Sequence, residues 1–300
     1  MTRTICIYHA NCADGFTAAW AVRKALGEAV EFIPAAYGDT PPDVTGADVV
    51  LVDFSYKRPV LEAVAKTART LLVLDHHETA EKDLEGLPVP IMSDWDEHLI
   101  EAAGGVASEI APGVPRARFS VVKSGAQLAW DFFHPFTSRP ALVDYVADRD
   151  LWRFDLPHSR QIAAWLFSHP YEFGAWESCA NMLADRRLFS QATYEGAAIL
   201  RKHDKDVAQL IKAGRREMVI GGHLVPVANL PFTMASDGAG AMAEGQPFAA
   251  CYFDKPEGRA FSLRSRHGGV NVAEIAATYG GGGHARAAGF QVAAGWEGDL

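Results

Sequence analysis

Asp75, His76 and His77 follow four consecutive aliphatic residues, Leu71 to Leu74, in the run LLVLDHHETA. An unbroken apolar run of that length reads as a buried strand. One carboxylate and two imidazoles at its tip are metal-ligating types. The arrangement recurs elsewhere in the chain. His9 closes the apolar run that begins RTICIY, with Cys12 and Asp14 in the turn after it, and Asp53 closes ADVVLVDFS. Asp148, in YVADRDLW, stands near the end of a later apolar segment, with Asp150 two residues on. Mixed carboxylate and imidazole donors suit divalent manganese, iron, zinc or cobalt. Several carboxylates beside a few histidines can hold two ions with one acid bridging. Ions roughly 3.5–4 Å apart would lower the pKa of a water between them and polarise phosphoryl oxygens.

Each residue also has a plainer reading. A lone Asp at a strand end is usually a cap or turn residue, and a lone His is more often surface or hydrogen-bonded core than ligand. It is the grouping at successive strand ends that argues for a site. Asp94, Asp96, Glu97 and His98 cluster too, and read as the solvated start of a helix.

The elements that must position these groups alternate. Strands are expected over RTICIY (3–8), AVEFIPA, 47–55 and RTLLVLD, and helices over 14–27 and 58–68. Strands alternating with helices imply a parallel sheet covered on both faces. In such sheets ligands bind beyond the carboxyl ends of the strands, where the acids and histidines fall. Beyond residue 90 the pattern turns helical: SDWDEHLIEAAGG, SGAQLAWDFF, PALVDYVADRDLW and SRQIAAWLFSHP fit helices, with APGVPRARFS as a loop. A long charged helix over 190–218 reads as a connector. MVIGGHLVPVANL, PFAACYFDK and GRAFSLRSR then alternate as antiparallel strands, and NVAEIAATYG reads as a helix. The fold class is therefore α/β, an N-terminal parallel-sheet domain and a smaller C-terminal α/β domain joined by a helical linker. The expected bounds are 1–190, 191–217 and 218–300.

In this last part, Arg264 and Arg266 stand two apart on an expected strand and so share a face. Guanidinium planes match phosphate bidentately. The glycines of GGGGH (280–284) let a backbone approach a ligand closely, and successive N–H groups in such a loop can cup an anion.

Composition bounds the partners. Of 300 residues, 49% are hydrophobic and 22% charged, enough for a core of globular kind. A net charge of −9 argues against a long basic track for nucleic acid. The start MTRTICIYHA lacks a secretory pattern, and no apolar run is long enough to span a bilayer, so no membrane is expected as a partner. Cys6, Cys12, Cys179 and Cys251 form no CxxC pair, which points to reduced thiols in a cytoplasmic protein.

HANCADG, VDFS, LDHH, ADRD and the tail GGGGHARAAG stand in the order of the motifs of the DHH phosphoesterases, and the chain resembles that family from about residue 5 to 290. The resemblance implies a parallel α/β catalytic domain, a linker and a smaller DHH-associated domain. It also implies phosphoester cleavage with two divalent ions, usually Mn2+. Carried over residue by residue, it implies that His9 binds the first metal, Asp14 the second, and Asp53 bridges both. His76 would bind the second metal and His77 would face the phosphate. Asp148 would complete the second site, with Asp150 as its rival, and Asp75 would orient the histidines. At Cys12 the family commonly has an acid, and a thiolate there could itself bind metal. Arg264, Arg266, Gly281, Gly282, Gly283 and His284 would hold the far end of the substrate, with Arg286 as a further candidate.

The function expected is a metal-dependent phosphodiesterase. It would release mononucleotides from short single-stranded RNA or DNA oligonucleotides or linear dinucleotides, and a homodimer is compatible with it. The alternatives are a phosphomonoesterase acting on 3′-phosphoadenosine 5′-phosphate, and a nucleotide-binding regulator with a degraded first metal site, which Cys12 and Asn11 motivate.

Overall fold

The computed structural model describes residues 3–90 and 113–299. The acidic cluster at 94–98 and the helix expected from SDWDEHLIEAAGG lie outside them.

The apolar runs become β1 (Thr4–His9), β3 (Asp48–Val52) and β4 (Thr70–Asp75). With β2 (Glu31–Ala35) and β5 (Arg116–Phe119) they form an all-parallel sheet in the order β2-β1-β3-β4-β5. Every residue of β3 and β4 is buried, as expected for strands covered on both faces. Successive side chains feed opposite faces. Val50, Val52, Leu72 and Leu74 pack into one core, and Val49, Leu51, Leu71 and Val73 into the other. Truncating any of these leucines to alanine would cost about 2–5 kcal/mol.

Helix α1 (Ala13–Leu26) is buried from Ala13 to Val22 and lies in the first core, with α4 (Gly125–Phe133), α5 (Ala141–Asp150), α6 (Ser159–Leu166) and α7 (Phe173–Ala184). α2 (Arg58–Thr67) and the short α3 (Glu81–Leu84) serve the second core. β5 corrects the expectation of a loop at 111–120. Its RARF pattern is that of an edge strand with only Ala117 buried, so it carries none of the continuous apolar signal of its neighbours.

The chain divides into two compact units, 1–193 and 194–300. α8 (Arg186–Gly214) begins and ends four residues earlier than the expected helix, because β6 (Arg216–Ile220) starts at once. The second unit holds β7 (His223–Asn229), α9 (Phe232–Met242), β8 (Ala249–Lys255), β9 (Gly258–Arg264), α10 (Val272–Thr278), β10 (Gly282–His284) and β11 (Ala287–Val292). Its sheet runs β10-β11-β9-β8-β7-β6. The sheet is mixed rather than antiparallel throughout, since β7 and β8 pair in parallel. A parallel pair needs a crossover, and α9 supplies it. Its sequence FTMASDGAGAM is small and glycine-containing, so it lacks a helix signal. The small face lets it sit flush, and a Cβ at Gly238 would lie 2.5 Å from Leu230 and 2.9 Å from the Cys251 sulfur. Among the described residues, no helix is long and apolar enough to cross a membrane.

Candidate metal centre

The carboxyl ends of β1, β3 and β4 lie side by side, because these are adjacent parallel strands. Each delivers one group. His9 is the last residue of β1. Asp53 follows β3 in a left-handed conformation (φ 54°), which Asp tolerates better than most residues. Its amide still donates to Leu74 O at 2.9 Å, so the turn is pinned to β4. His76 follows β4 and is fully buried.

Asp14, on the first turn of α1, is also buried. The His76 Nε2 atom lies 2.8 Å from Asp53 Oδ1, 3.5 Å from Asp14 Oδ2 and 3.7 Å from Asp150 Oδ2. His9 Nδ1 lies 3.5 Å from Asp53 Oδ2. Within the first unit, two groups of donors can each converge on a point: Asp14, Asp53 and His76, and His9, Asp53 and His77, with the atoms of each group within 4.8 Å of one another. Asp53 is common to both.

Two glycines make this approach feasible. A Cβ at Gly15 would lie 2.4 Å from His9 O, so α1 can start against the end of β1 only with glycine there. A Cβ at Gly125 would lie 2.4 Å from Asp53 Cβ. Gly125 opens α4, whose start carries a capping box between Ser124 and Gln127. The Gly125 and Ala126 amides donate to Asp14 at 2.6 and 3.1 Å. An amide N-terminus thus holds one carboxylate while its bare Cα abuts the other.

Asp75 has a different task. Its Oδ1 accepts the amides of His76 and His77 and lies 2.8 Å from His77 Nδ1. It orients both histidines and stands outside the two donor groups. Burial would lift the Asp75 carboxyl, but the His77 charge and hydrogen bond hold it below the usual range. Burial would lower His77 in turn, but Asp75 pushes it up to about 9.

Asp148 is placed elsewhere. Its two oxygens accept the amides of Asp155 and Leu156 at 2.9 and 3.2 Å, fixing the loop after α5. The structure brings Asp150 to the cluster instead. Cys12 caps α1 without a side-chain bond and joins neither donor group. Burial and the charges of Asp53, Asp150 and Asp14 push its thiol well up, which disfavours the thiolate a metal would need.

The residues fit a divalent cation. Burial, together with the charges of Asp53 and Asp150, raises the Asp14 carboxyl well above its ordinary value, and Asp150 is raised for like reasons. Burial would raise Asp53 too, but the His76 hydrogen bond, the approach of His9 and the nearby imidazole charges hold it well below. Like charges crowded in a buried site are relieved by a bound cation. His9 Nδ1 and Asp53 Oδ2, 3.5 Å apart, are buried without a well-formed hydrogen bond among the described residues, as donors aimed at an ion would be.

In the second unit, the Arg264 guanidinium donates to Ser236 Oγ at 2.6 Å, and Arg266 donates to Gly240 O at 2.9 Å. Both therefore reach α9, although β9 ends at Arg264 and Arg266 lies beyond it. The glycine run folds as a strand rather than as an open turn. Gly282–His284 pairs with Gly289–Ala287 at the sheet edge. A Cβ at Gly281 would lie 2.2 Å from Gly289 O, and one at Gly283 2.5 Å from Ala287 O. Close packing of β11 explains these glycines.

Sequence reasoning missed the weight of Gly125 and Tyr37. The run SGAQLAWDFF placed a helix but did not say where its start points. Tyr37, after β2, sits 5.5 Å from His9 and 5.8 Å from His77 by ring centroids.

No protein-family model matches the chain. It is 25% identical, over 313 aligned positions, to an uncharacterized protein of Acanthamoeba polyphaga mimivirus, spanning 95% of this chain and 66% of that one. The chain thus covers a little under two thirds of that relative's length. Among solved structures, it is similar to the DHH domain of a member of a ribosomal-protein family, with a TM-score of 0.54 and 14% identity over 97% of this chain and 82% of that one. RecJ from Thermus thermophilus in complex with Mn2+ gives a TM-score of 0.47 at 14% identity over 97% and 49%. The first of these structural likenesses shows the fold alone: an α/β chain folded like that DHH domain.

Proposed function

We propose that the protein is a metal-dependent phosphodiesterase that hydrolyses short oligonucleotides or linear dinucleotides to mononucleotides. The observation that carries this reading is the pair of donor groups sharing Asp53, at the carboxyl edge of a parallel sheet. Such a set suits two divalent ions bridged by one carboxylate, with Mn2+ as the ion of choice. When bound, the ions supply Lewis acidity and a nucleophilic water. Asp14, Asp150 and His76 would hold one, and His9 the other, with Asp53 between them.

The chain's own residues do the rest. Asp75 accepts from the His77 Nδ1–H and so fixes the ring, leaving its other nitrogen to face a phosphate oxygen. The Gly125 and Ala126 amides keep Asp14 turned inward. On the second unit, Arg264, Arg266, Gly281, Gly282, Gly283 and His284 are proposed to bind substrate, and residues 191–217 to act as a linker.

The test is release of mononucleotides from a 5′-phosphorylated RNA dinucleotide with added manganese. Wild type should release them, and the His76→Ala, His77→Ala double variant should not. Release by both, or by neither, would overturn the reading.

A further inference from the structure

Tyr37 follows β2, in a turn fixed by its neighbours. Ala36 N donates to Asp39 Oδ2 at 2.8 Å, and Asp39 N donates to Ala36 O at 3.1 Å. Gly38 sits between them at φ 97°. The tyrosine is 52% exposed, and its covered part meets three rings of the site. Its ring lies 5.2 Å from Phe54, 5.5 Å from His9 and 5.8 Å from His77, centroid to centroid. His9 and His77 are themselves 5.7 Å apart, edge to face, and His9 stacks on Phe54 at 6.3 Å. An aromatic wall thus runs from fully buried Phe54, through the two histidines of one donor group, to a ring open to solvent. Single exposed aromatics are common and need no explanation. This one is held by a tight turn against two candidate ligands.

We propose that Tyr37 is a specificity-determining residue that stacks on the nucleobase next to the scissile phosphate. The inference rests on the phosphodiesterase reading of the same site. A planar tyrosine gives large contact area at a low entropic cost, and every base offers a π-face to it. It therefore selects for nucleosidic esters over inorganic or baseless ones, with little preference among bases. Phe54 and His9 behind the ring limit its freedom before substrate arrives, which lowers the cost of binding.

The experiment compares wild type with Tyr37→Ala and Tyr37→Phe on a linear dinucleotide and on the same phosphodiester lacking both bases, with manganese. Manganese affinity is measured in parallel by calorimetry. Tyr37→Ala should raise KM for the dinucleotide about 10- to 100-fold, with kcat within about threefold. Tyr37→Phe should stay close to wild type. Neither variant should change KM for the baseless compound by more than about twofold, and manganese affinity should be unchanged. Equal losses on both compounds, an unchanged KM for the dinucleotide, or a Tyr37→Phe loss as large as that of Tyr37→Ala would overturn stacking as the role. If wild type cuts neither compound, the phosphodiesterase reading fails first and the inference falls with it.

Discussion

Asp148 and Asp150 stand two residues apart on α5, and a helix turns about 200° over that interval. They must face nearly opposite ways, so only one can reach the cluster. In the structure Asp150 approaches His76, while Asp148 ties down the loop at Asp155 and Leu156. The two asparagine variants should therefore fail differently. Asp150→Asn should weaken manganese binding by about 10- to 100-fold with little loss of melting temperature. Asp148→Asn should cost about 1–2 kcal/mol of stability, from weakened charge-assisted bonds, and leave manganese affinity near wild type. Calorimetric titration and denaturant unfolding of both variants check this. The string DRD left the choice open because sequence gives the spacing of the two acids but not the helix's rotation. His77 offers a pH test. Its folded value, about 9, lies above the ordinary 6.5. Protonated His77 therefore stabilises the metal-free fold fully below pH 6.5, and this contribution is lost as pH rises through about 9. In chelator-treated protein, the stability difference between wild type and His77→Asn should shrink from pH 6 to pH 10. A difference that stays constant would mean the Asp75–His77 pair carries no charge.

At the scale of elements, the site depends on α4 starting where it does. Alanine at Gly125 would bring its Cβ against the Asp53 Cα, Cβ and Oδ1, and the first two cannot yield without a backbone shift. We expect Gly125→Ala to shift Asp53 or α4 and to lower manganese affinity by at least about tenfold. Gly174→Ala is the control, since Gly174 lies on α7 with open space around its Cα. There the substitution should stabilise by up to about 1 kcal/mol through helix propensity alone. Equal effects on metal binding at both positions would show that contact with Asp53 is not the cause. Buried elements were the legible ones. β1, β3 and β4 announce themselves because burial on both faces demands unbroken apolar runs. β5 and α9 do not: an edge strand can keep its arginines, and a helix of small residues against a sheet needs no amphipathic stripe. The candidate ligands at strand ends were legible for the same reason as the strands. Gly125 and Tyr37 matter only through contacts made 72 and 28 positions away in sequence, with Asp53 and His9, and no local pattern encodes them.

At the scale of the whole molecule, net charge bears on the kind of substrate proposed. The chain carries 37 acidic and 28 basic side chains, a net charge of −9. A protein that tracks a long strand does so through many phosphate contacts, each releasing counterions, and its affinity then falls steeply with salt. For single strands the slope is about −0.7 per phosphate neutralised. A dinucleotide gripped at one phosphate by metal and His77 involves about one such contact. Raising potassium chloride from about 50 to 200 mM at fixed manganese should then raise KM for the dinucleotide only about threefold, since a fourfold change in salt to the power 0.7 is close to that. A protein gripping six phosphates would lose more than about a hundredfold over the same range. The comparison should be run with a dinucleotide and a 30-nucleotide strand side by side. A shallow slope with both, and no tighter KM for the longer strand, fits an enzyme whose recognition is confined to the ends of small ligands. A steep slope with the longer strand would mean that basic side chains scattered over an acidic chain still assemble into a continuous track, and short oligonucleotides would then be products rather than substrates.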